Sequence, residues 1–305
     1  MKLRRLARSI AAAVVVSAAF GSAQAAPTLY ASGSGTGPNG GLSAIYEVDP
    51  STGASTLVFG FPTIHIYNGG LAYDASTDTL YATGVEDSST GTSRLFAIDR
   101  ATGAFTSFPG MSSTINLSQG GLAIHPLTGV LYATGGNGFQ SSGLFTIDKA
   151  TGAATLIGQT GGQCCVNPYG FNLNGIGFRS DGTLFANGFT LTDGISSLFT
   201  IDLATGAATA IGAHGVSSGR ALRYSGLAFR ADGVLLSLGD IDGSNDGLFA
   251  IDPATGAATL LGGTGPRYGV DGGLSFAVPE PAALLFLGAA FVAGVARRAL
   301  KTPRS

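Results

Sequence analysis

Short runs of alternating apolar and small or polar residues recur along the chain, and they end at the same punctuation of aspartate, threonine and glycine. Five phrases carry the pattern: IYEVDPSTGASTLVFG from Ile45, LFAIDRATGAFTSFPG from Leu95, LFTIDKATGAATLIGQ from Leu144, LFTIDLATGAATAIGA from Leu198 and LFAIDPATGAATLLGG from Leu248. Their aspartates, Asp49, Asp99, Asp148, Asp202 and Asp252, stand 50, 49, 54 and 50 residues apart. In each phrase one β-prone run closes on the aspartate and a second follows Gly-Ala. This predicts a hairpin with Gly53, Gly103, Gly152, Gly206 and Gly256 at the position that needs positive φ. The aspartate accepts hydrogen bonds from the turn amides or the threonine hydroxyl, so these ten residues are expected to be structural.

Two more strands recur between the hairpins. One is GLAYD at Gly70, GLAIH at Gly121, GIGFR at Gly175, GLAFR at Gly226 and GLSFA at Gly273; the other is TLYASG at Thr28, TLYATG at Thr79, VLYATG at Val130, TLFANG at Thr183 and VLLSLG at Val234. Each unit of about fifty residues then has four strands, a, b, c and d, which is the content of one propeller blade. The chain enters the repeat at strand b and leaves it with a lone strand a. If Gly273 to Ala277 becomes the innermost strand of the blade begun at Thr28, five complete blades close into a ring and no half-blade is left with unpaired edges. The expected fold is therefore all-β, a closed five-bladed β-propeller over residues 27–277.

The two ends of the chain read differently. Lys2, Arg4, Arg5 and Arg8 precede an apolar run from Ile10 to Phe20 and the small-residue site Ala23-Gln24-Ala25, the parts of a secretory signal peptide over residues 1–25. At the C-terminus, Val278-Pro279-Glu280-Pro281 leads into an uncharged stretch from Ala282 to Ala296 and then Arg297, Arg298, Lys301 and Arg304. Those fifteen uncharged residues rise only about 22 Å as a helix, so spanning a bilayer core of about 30 Å needs the flanks and snorkelling arginines as well. Positive residues stay on the cytoplasmic side, which puts the basic stop at Arg297 and Arg298 inside and everything before Pro279 outside. Residues 278–305 resemble the PEP-CTERM sorting tail of Gram-negative bacteria, with its Pro-Glu-Pro signature, hydrophobic helix and basic end. The resemblance implies an exosortase-type processing enzyme as a partner and an inner-membrane anchor through the C-terminal helix before processing. It also implies delivery to the cell surface or extracellular matrix, in a family associated with biofilm and exopolysaccharide.

With both ends set aside, eight basic and seventeen acidic side chains remain, a net charge of −9. That excludes nucleic acid and an anionic membrane surface as partners of the ring, since both need basic patches. Only two cysteines occur, adjacent at Cys164 and Cys165; neighbouring Cα atoms lie about 3.8 Å apart, below the usual disulfide range, so a bridge between them is strained. The Asp-x-x-Thr-Gly turn also resembles the repeats of quinoprotein dehydrogenases, but their docking tryptophan is missing from a chain with no tryptophan, and no organic cofactor is expected.

Loops b–c and d–a are longer and differ from blade to blade, and because strands alternate in direction both sets emerge on one face. Loops on a rigid scaffold are where binding usually sits. This candidate face carries His65, Tyr67, Asn68, Asn167, Tyr169, Asn174, His214, Arg223, Tyr224, Arg267 and Tyr268, a mixture suited to stacking and hydrogen bonding to polysaccharide or to another surface protein. One b–c loop, GDIDGSNDG, contains Asp240, Asp242, Asn245 and Asp246, oxygen groups that could hold calcium or simply form a turn. A propeller glycosidase needs paired carboxylates at its central pocket, and the inner strands offer only Asp74. The expectation is a non-enzymatic binding or matrix protein, with a carbohydrate-active enzyme or a calcium-stabilised adhesion module as alternatives.

Overall fold

In the computed structural model the described residues are 27–35, 42–66, 69–86, 92–111, 115–117, 120–137, 141–163, 171–190, 194–216, 222, 226–242, 245–266 and 272–277. They are all β and turn. Strands β1 (Thr28–Gly35), β2 (Leu42–Val48) and β3 (Ser55–Phe61) are followed by a sheet of β4 (Leu71–Asp74), β5 (Thr79–Val85), β6 (Ser93–Asp99) and β7 (Phe105–Phe108). The third sheet holds β8 (Ile115–Asn116), β9 (Leu122–Ile124), β10 (Leu131–Asn137), β11 (Ser141–Ile147) and β12 (Ala154–Gln163). The fourth holds β13 (Phe171–Phe178), β14 (Leu184–Thr190), β15 (Ser196–Ile201) and β16 (Ala208–Ala213). The fifth holds β17 (Leu227–Phe229), β18 (Leu235–Asp240), β19 (Asn245–Ile251) and β20 (Ala258–Pro266), after which β21 (Leu274–Ala277) ends the ring.

The first sheet runs in the order β21-β1-β2-β3. The last strand thus pairs antiparallel with the first, Thr28 opposite Ala277 and Ala31 opposite Leu274. The five antiparallel blades form a closed propeller, with blade I completed from both ends of the repeat. Blade III carries one addition that the repeat does not announce, the two-residue β8 paired to the far end of β10.

The core is divided among the blade junctions. Five clusters of buried side chains each draw on two adjacent blades, from Leu29, Val48, Leu236 and Leu248 between blades I and V to Phe185, Leu198, Leu235 and Phe249 between IV and V. Because every inner strand is covered on both faces, its residues lack a clean apolar–polar alternation. Each buried Leu, Ile or Phe contributes about 1.5–3 kcal/mol, so every junction is held by several such side chains.

At the axis the blades meet backbone to backbone. A Cβ built on Gly70 would lie 2.2 Å from the Leu122 amide nitrogen; on Gly121, 2.3 Å from the Asn174 carbonyl; on Gly226, 2.2 Å from the Leu274 nitrogen; on Gly273, 2.2 Å from the Leu71 nitrogen. Such contacts leave no room for a side chain. A belt of wholly buried polar residues from strand b, Ser32, Thr83, Thr134, Asn187 and Ser237, lies behind these glycines. Thr134 Oγ1 accepts the Gly121 amide (2.9 Å) and donates to the Asn174 carbonyl of the next blade (2.6 Å). Thr83 Oγ1 and Ser32 Oγ likewise accept the amides of Gly70 and Gly273, and Asn187 Nδ2 donates to Ser237 Oγ across blades IV and V (2.7 Å).

Three substitutions test this account through urea midpoints. Gly121→Ala is expected to cost about 3 kcal/mol or more, whereas Gly60→Ala, whose Cβ meets nothing within 4 Å, shifts stability by less than about 0.5 kcal/mol. Thr134→Val keeps the shape but strands a buried amide and a buried carbonyl, and is expected to cost about 2–3 kcal/mol.

Candidate functional site

The blade-specific b–c and d–a segments leave the ring on one face, and the described parts of the d–a segments are pinned there. His65 exchanges both main-chain hydrogen bonds with Val85, at 2.7 and 3.0 Å. Ile66 and Leu117 are fully buried, and their amides donate to Ser43 Oγ and Ser93 Oγ at the start of strand c. A loop whose main chain is fixed by a buried aliphatic and a hydroxyl is a preorganised support for the residues beyond it. Of the eleven candidate residues, His65 is half-buried while Asn174 and His214 are buried. Tyr67, Asn68, Asn167, Tyr169, Arg223, Tyr224, Arg267 and Tyr268 lie outside the described residues, as do Cys164 and Cys165.

The acidic loop of blade V is a local turn in its described part. The Asp242 carboxylate accepts both the Asn245 amide and Asn245 Nδ2, each at 2.9 Å. Asp240 pairs with Asp246 across the hairpin register, and Asp246 is buried. Among the described residues no three His, Cys, Asp or Glu side chains gather as a ligand set for a metal ion. The sorting residues Val278, Pro279, Glu280 and Pro281, the helix after them and the basic stop lie outside the described residues, as does the signal peptide. Among the described residues no helix is long and apolar enough to cross a membrane.

On the opposite face the a–b and c–d turns are short and built alike. In the c–d turn of blade IV, Asp202 Oδ1 accepts the amides of Ala204 and Thr205 and the Thr205 hydroxyl at 2.8–3.0 Å, Thr205 Oγ1 accepts the Ala207 amide, and Gly206 takes φ 74°. Hydrogen bonds to the ionised form hold the carboxyls of Asp49, Asp99, Asp202 and Asp252 below the usual range. Each turn also docks onto strand d of the preceding blade. A Cβ on Gly206 would lie 2.7 Å from the Gly158 carbonyl, one on Gly256 2.4 Å from that of Gly212, and one on Gly53 2.8 Å from that of Gly262. In blades I, III, IV and V strand d reaches that position through a one-residue bulge, at Val58, Ile157, Ile211 and Leu261, which increases the local twist. Blade II has no such bulge, and the Gly110 amide bonds the Thr151 carbonyl of blade III instead.

The axis itself is asymmetric. Toward the loop face it narrows between Gly70, Gly121, Gly175, Gly226 and Gly273 to a gap of about 10 Å³, room for no more than a single water. Toward the turn face it widens into a funnel of about 190 Å³. One large apolar side chain from the end of each strand a lines it: Tyr73, Ile124, Phe178, Phe229 and Phe276, all half-buried. Their recurrence as the third residue after each axial glycine was the available signal, but which end of the axis stays open depends on the twist of all five sheets. Polar groups stand around the rim. Arg100 lies over the Tyr73 ring at 5.5 Å and pairs with Asp78, while Arg179 and Arg230 pair with Asp181 and Asp232. Buried Asp74 pairs with Lys149 of blade III. Burial pushes the Asp74 carboxyl up, but the Lys149 ammonium and Ser76 outweigh it and hold the carboxyl below its ordinary value.

His214 sits in the junction between blades IV and V. Its Nδ1 lies 2.8 Å from the Gly256 carbonyl of the blade V turn, and since a carbonyl only accepts, Nδ1 carries the proton. Its amide bonds the Ser196 carbonyl and its carbonyl accepts the Ala258 amide. Burial pushes the imidazole pKa down.

No known family pattern matches this sequence, and no curated protein sequence does. Solved structures do match. A chain of a nidogen/laminin complex superposes with a TM-score of 0.50 at 14% identity over 83% of this chain and 99% of its own. A GH43 glycoside hydrolase whose engineered active site displays endo-xylanase and exo-arabinofuranosidase activity gives 0.51 at 10% identity, over 82% of this chain and 53% of its own. TolB from Acinetobacter baumannii gives 0.47 at 14%, over 77% and 52%. The chain thus spans about half the length of the hydrolase and of TolB. At such identities the likeness is one of fold, the propeller.

The comparison corrects one expectation. A ring shared with a glycoside hydrolase gives no ground for reading this chain as a non-enzyme, and that reading is overturned. Carboxylates are not confined to the inner strands: Asp87, Asp193 and Asp271 belong to the loops and lie outside the described residues.

The buried histidine predicts a pH dependence. Above about pH 7 His214 is neutral in both folded and unfolded chains. As pH falls through about 6.5 the unfolded chain takes up a proton that the folded chain refuses until its own lower pKa, so stability is lost across that window, by at most about 1.4 kcal/mol per pH unit. Urea melts between pH 8 and 5 should show this loss in the natural protein and a flatter profile in His214→Gln.

Proposed function

We propose that this protein is exported, held at the inner membrane by a PEP-CTERM-like tail until an exosortase-type enzyme processes it, and displayed at the cell surface or in the matrix. There its loop face binds an extracellular polysaccharide or another surface protein, in the setting of biofilm or exopolysaccharide. The observation that supports this best is the polarity of the ring. Strand β21 runs toward the turn face and β1 starts beside its end, so both connections to the rest of the chain leave on the turn face while every long, blade-specific segment leaves on the other. A tether beginning at residue 278 therefore turns the loop face away from the membrane. The charge of −9 over residues 27–277 suits neutral glycans better than anionic surfaces.

The test is glycan-array binding by the full chain, with release of reducing ends measured on every glycan bound. The expected result is binding that falls at least about tenfold in Tyr169→Ala or Tyr268→Ala, since stacked aromatics dominate such contacts. Reducing-end release lost in the same variants makes this face an active site as well. Absence of binding to any glycan or surface protein, or binding indifferent to the loop substitutions, overturns the assignment. For the tail, Glu280→Ala should leave the protein unprocessed in the inner membrane.

A further inference from the structure

The funnel on the turn face has walls of one chemical kind. Of the five large side chains that ring it, Tyr73, Ile124, Phe178, Phe229 and Phe276, four are aromatic. Its other lining side chains are apolar apart from Ser275, whose Oγ accepts the Tyr73 amide (2.9 Å), while the Tyr73 hydroxyl donates to Asp78 (2.8 Å). We propose that the funnel is a binding site for a small quaternary ammonium ion, a trimethylammonium head such as that of choline, held by these aromatic walls.

Three observations carry the site. The first is the charge of the face around it. The a–b and c–d turns, with the residues that open them, carry nine acidic and four basic side chains. Each of the four bases, Arg100, Lys149, Arg179 and Arg230, is paired with an acid of an a–b turn. The five c–d aspartates are left as net charge, and in a closed ring their potentials add along the axis, so the funnel mouth attracts cations and repels anions. The second is the wall. The face of an aromatic ring attracts a cation within about 6 Å of its centroid, and Arg100 already stands 5.5 Å from the Tyr73 centroid. Phe178 is braced edge-on by Tyr132 at 5.4 Å and Phe229 by Phe185 at 5.2 Å, so these rings are set before a guest arrives. The third is fit. A cavity of about 190 Å³ exceeds the volume of about 150 Å³ that holds one benzene ring, room enough for a trimethylammonium head. A primary ammonium would give up water from three N–H donors that apolar walls do not replace. A quaternary one has no N–H and spreads its charge over methyl groups, so aromatic carbon substitutes for its hydration. The site stands apart from the loop-face reading, whose residues lie on the other side of the ring.

Titration calorimetry of the full chain in a maltoside detergent tests it, with choline set against its neutral isostere in which carbon replaces the ammonium nitrogen. Choline is expected to bind saturably at about 1 mM or tighter, and the isostere at least about tenfold more weakly. Phe229→Leu and Phe276→Leu together keep the wall apolar but remove two rings, and should weaken choline at least about fivefold while leaving the isostere unchanged. Tyr169→Ala, on the loop face, should lower glycan binding and leave choline binding as it is, so the two readings fail separately. The absence of saturable choline binding, equal affinity for choline and the isostere, indifference to the paired leucine variant, or loss of choline binding in Tyr169→Ala overturns the proposal. The first two outcomes are read on the natural protein and need no variant to fold.

Discussion

The contact on which the whole ring depends is main chain against main chain at the axis. Five strands can converge there only if one residue in each gives up its side chain, and at Gly70, Gly121, Gly226 and Gly273 the missing Cβ is replaced by the next blade's backbone at 2.2–2.3 Å from where it would lie. Closeness of that kind removes water from amides and carbonyls that must still be paired. The buried hydroxyls of Ser32, Thr83 and Thr134 supply the pairing. Apolar packing fills the five junctions outside this point, but it could not hold an axis whose polar groups were left unsatisfied.

A second set of close contacts works at the outer edge. The Asp-x-x-Thr-Gly phrase makes a compact turn whose glycine lies flat on strand d of the preceding blade, and the bulge in that strand brings it there. The repeated phrase thus has two duties, one within its blade and one toward its neighbour. Blade II, with its short β7 and no bulge, shows that the second duty can be met in another way, by the hydrogen bond from Gly110 to Thr151. Inner glycines and outer turns together fix the angle between blades, which is why five units of nearly equal length close without a gap.

The architecture was legible because its determinants are local and recur. The strand phase, with entry at Thr28 and a spare strand at Leu274–Ala277, states the closure outright, and the pairing of Thr28 with Ala277 realises it. What could not be read are the consequences of position in three dimensions. Thr134 looks in sequence like any strand threonine, and only the convergence of blades III and IV makes it a buried bridge. His214 reads as a loop residue following strand d, yet the twist of β16 carries it into the next blade's turn, where burial lowers its pKa. The loop face is legible from connection lengths, whereas the funnel on the opposite face is not, because five half-buried apolar residues at equivalent positions spell core in the one dimension of sequence and cavity in the three of the fold. Most of the candidate polar residues on the loop face lie in the segments that differ between blades, where the repeat supplies no register to reason from.

Closing the ring with its last strand ties the tail to the integrity of the fold. β21 is an inner strand: one edge is bonded to β1 through four paired residues, and its glycine-led start is wedged between the axial backbones of blades II and V. Any tether that begins at Val278 therefore pulls along β21 and loads the β21–β1 hydrogen bonds in parallel, in shear, instead of opening them one at a time. An added C-terminal strand on an outer edge would have no such protection and would peel. Placing the closure at the innermost position puts the attachment point where the packing is densest. It also puts the end of β21 beside the funnel, which Phe276 lines. The same topological choice, one strand held back until the end, completes the ring of blades and aims the variable loops away from the attachment.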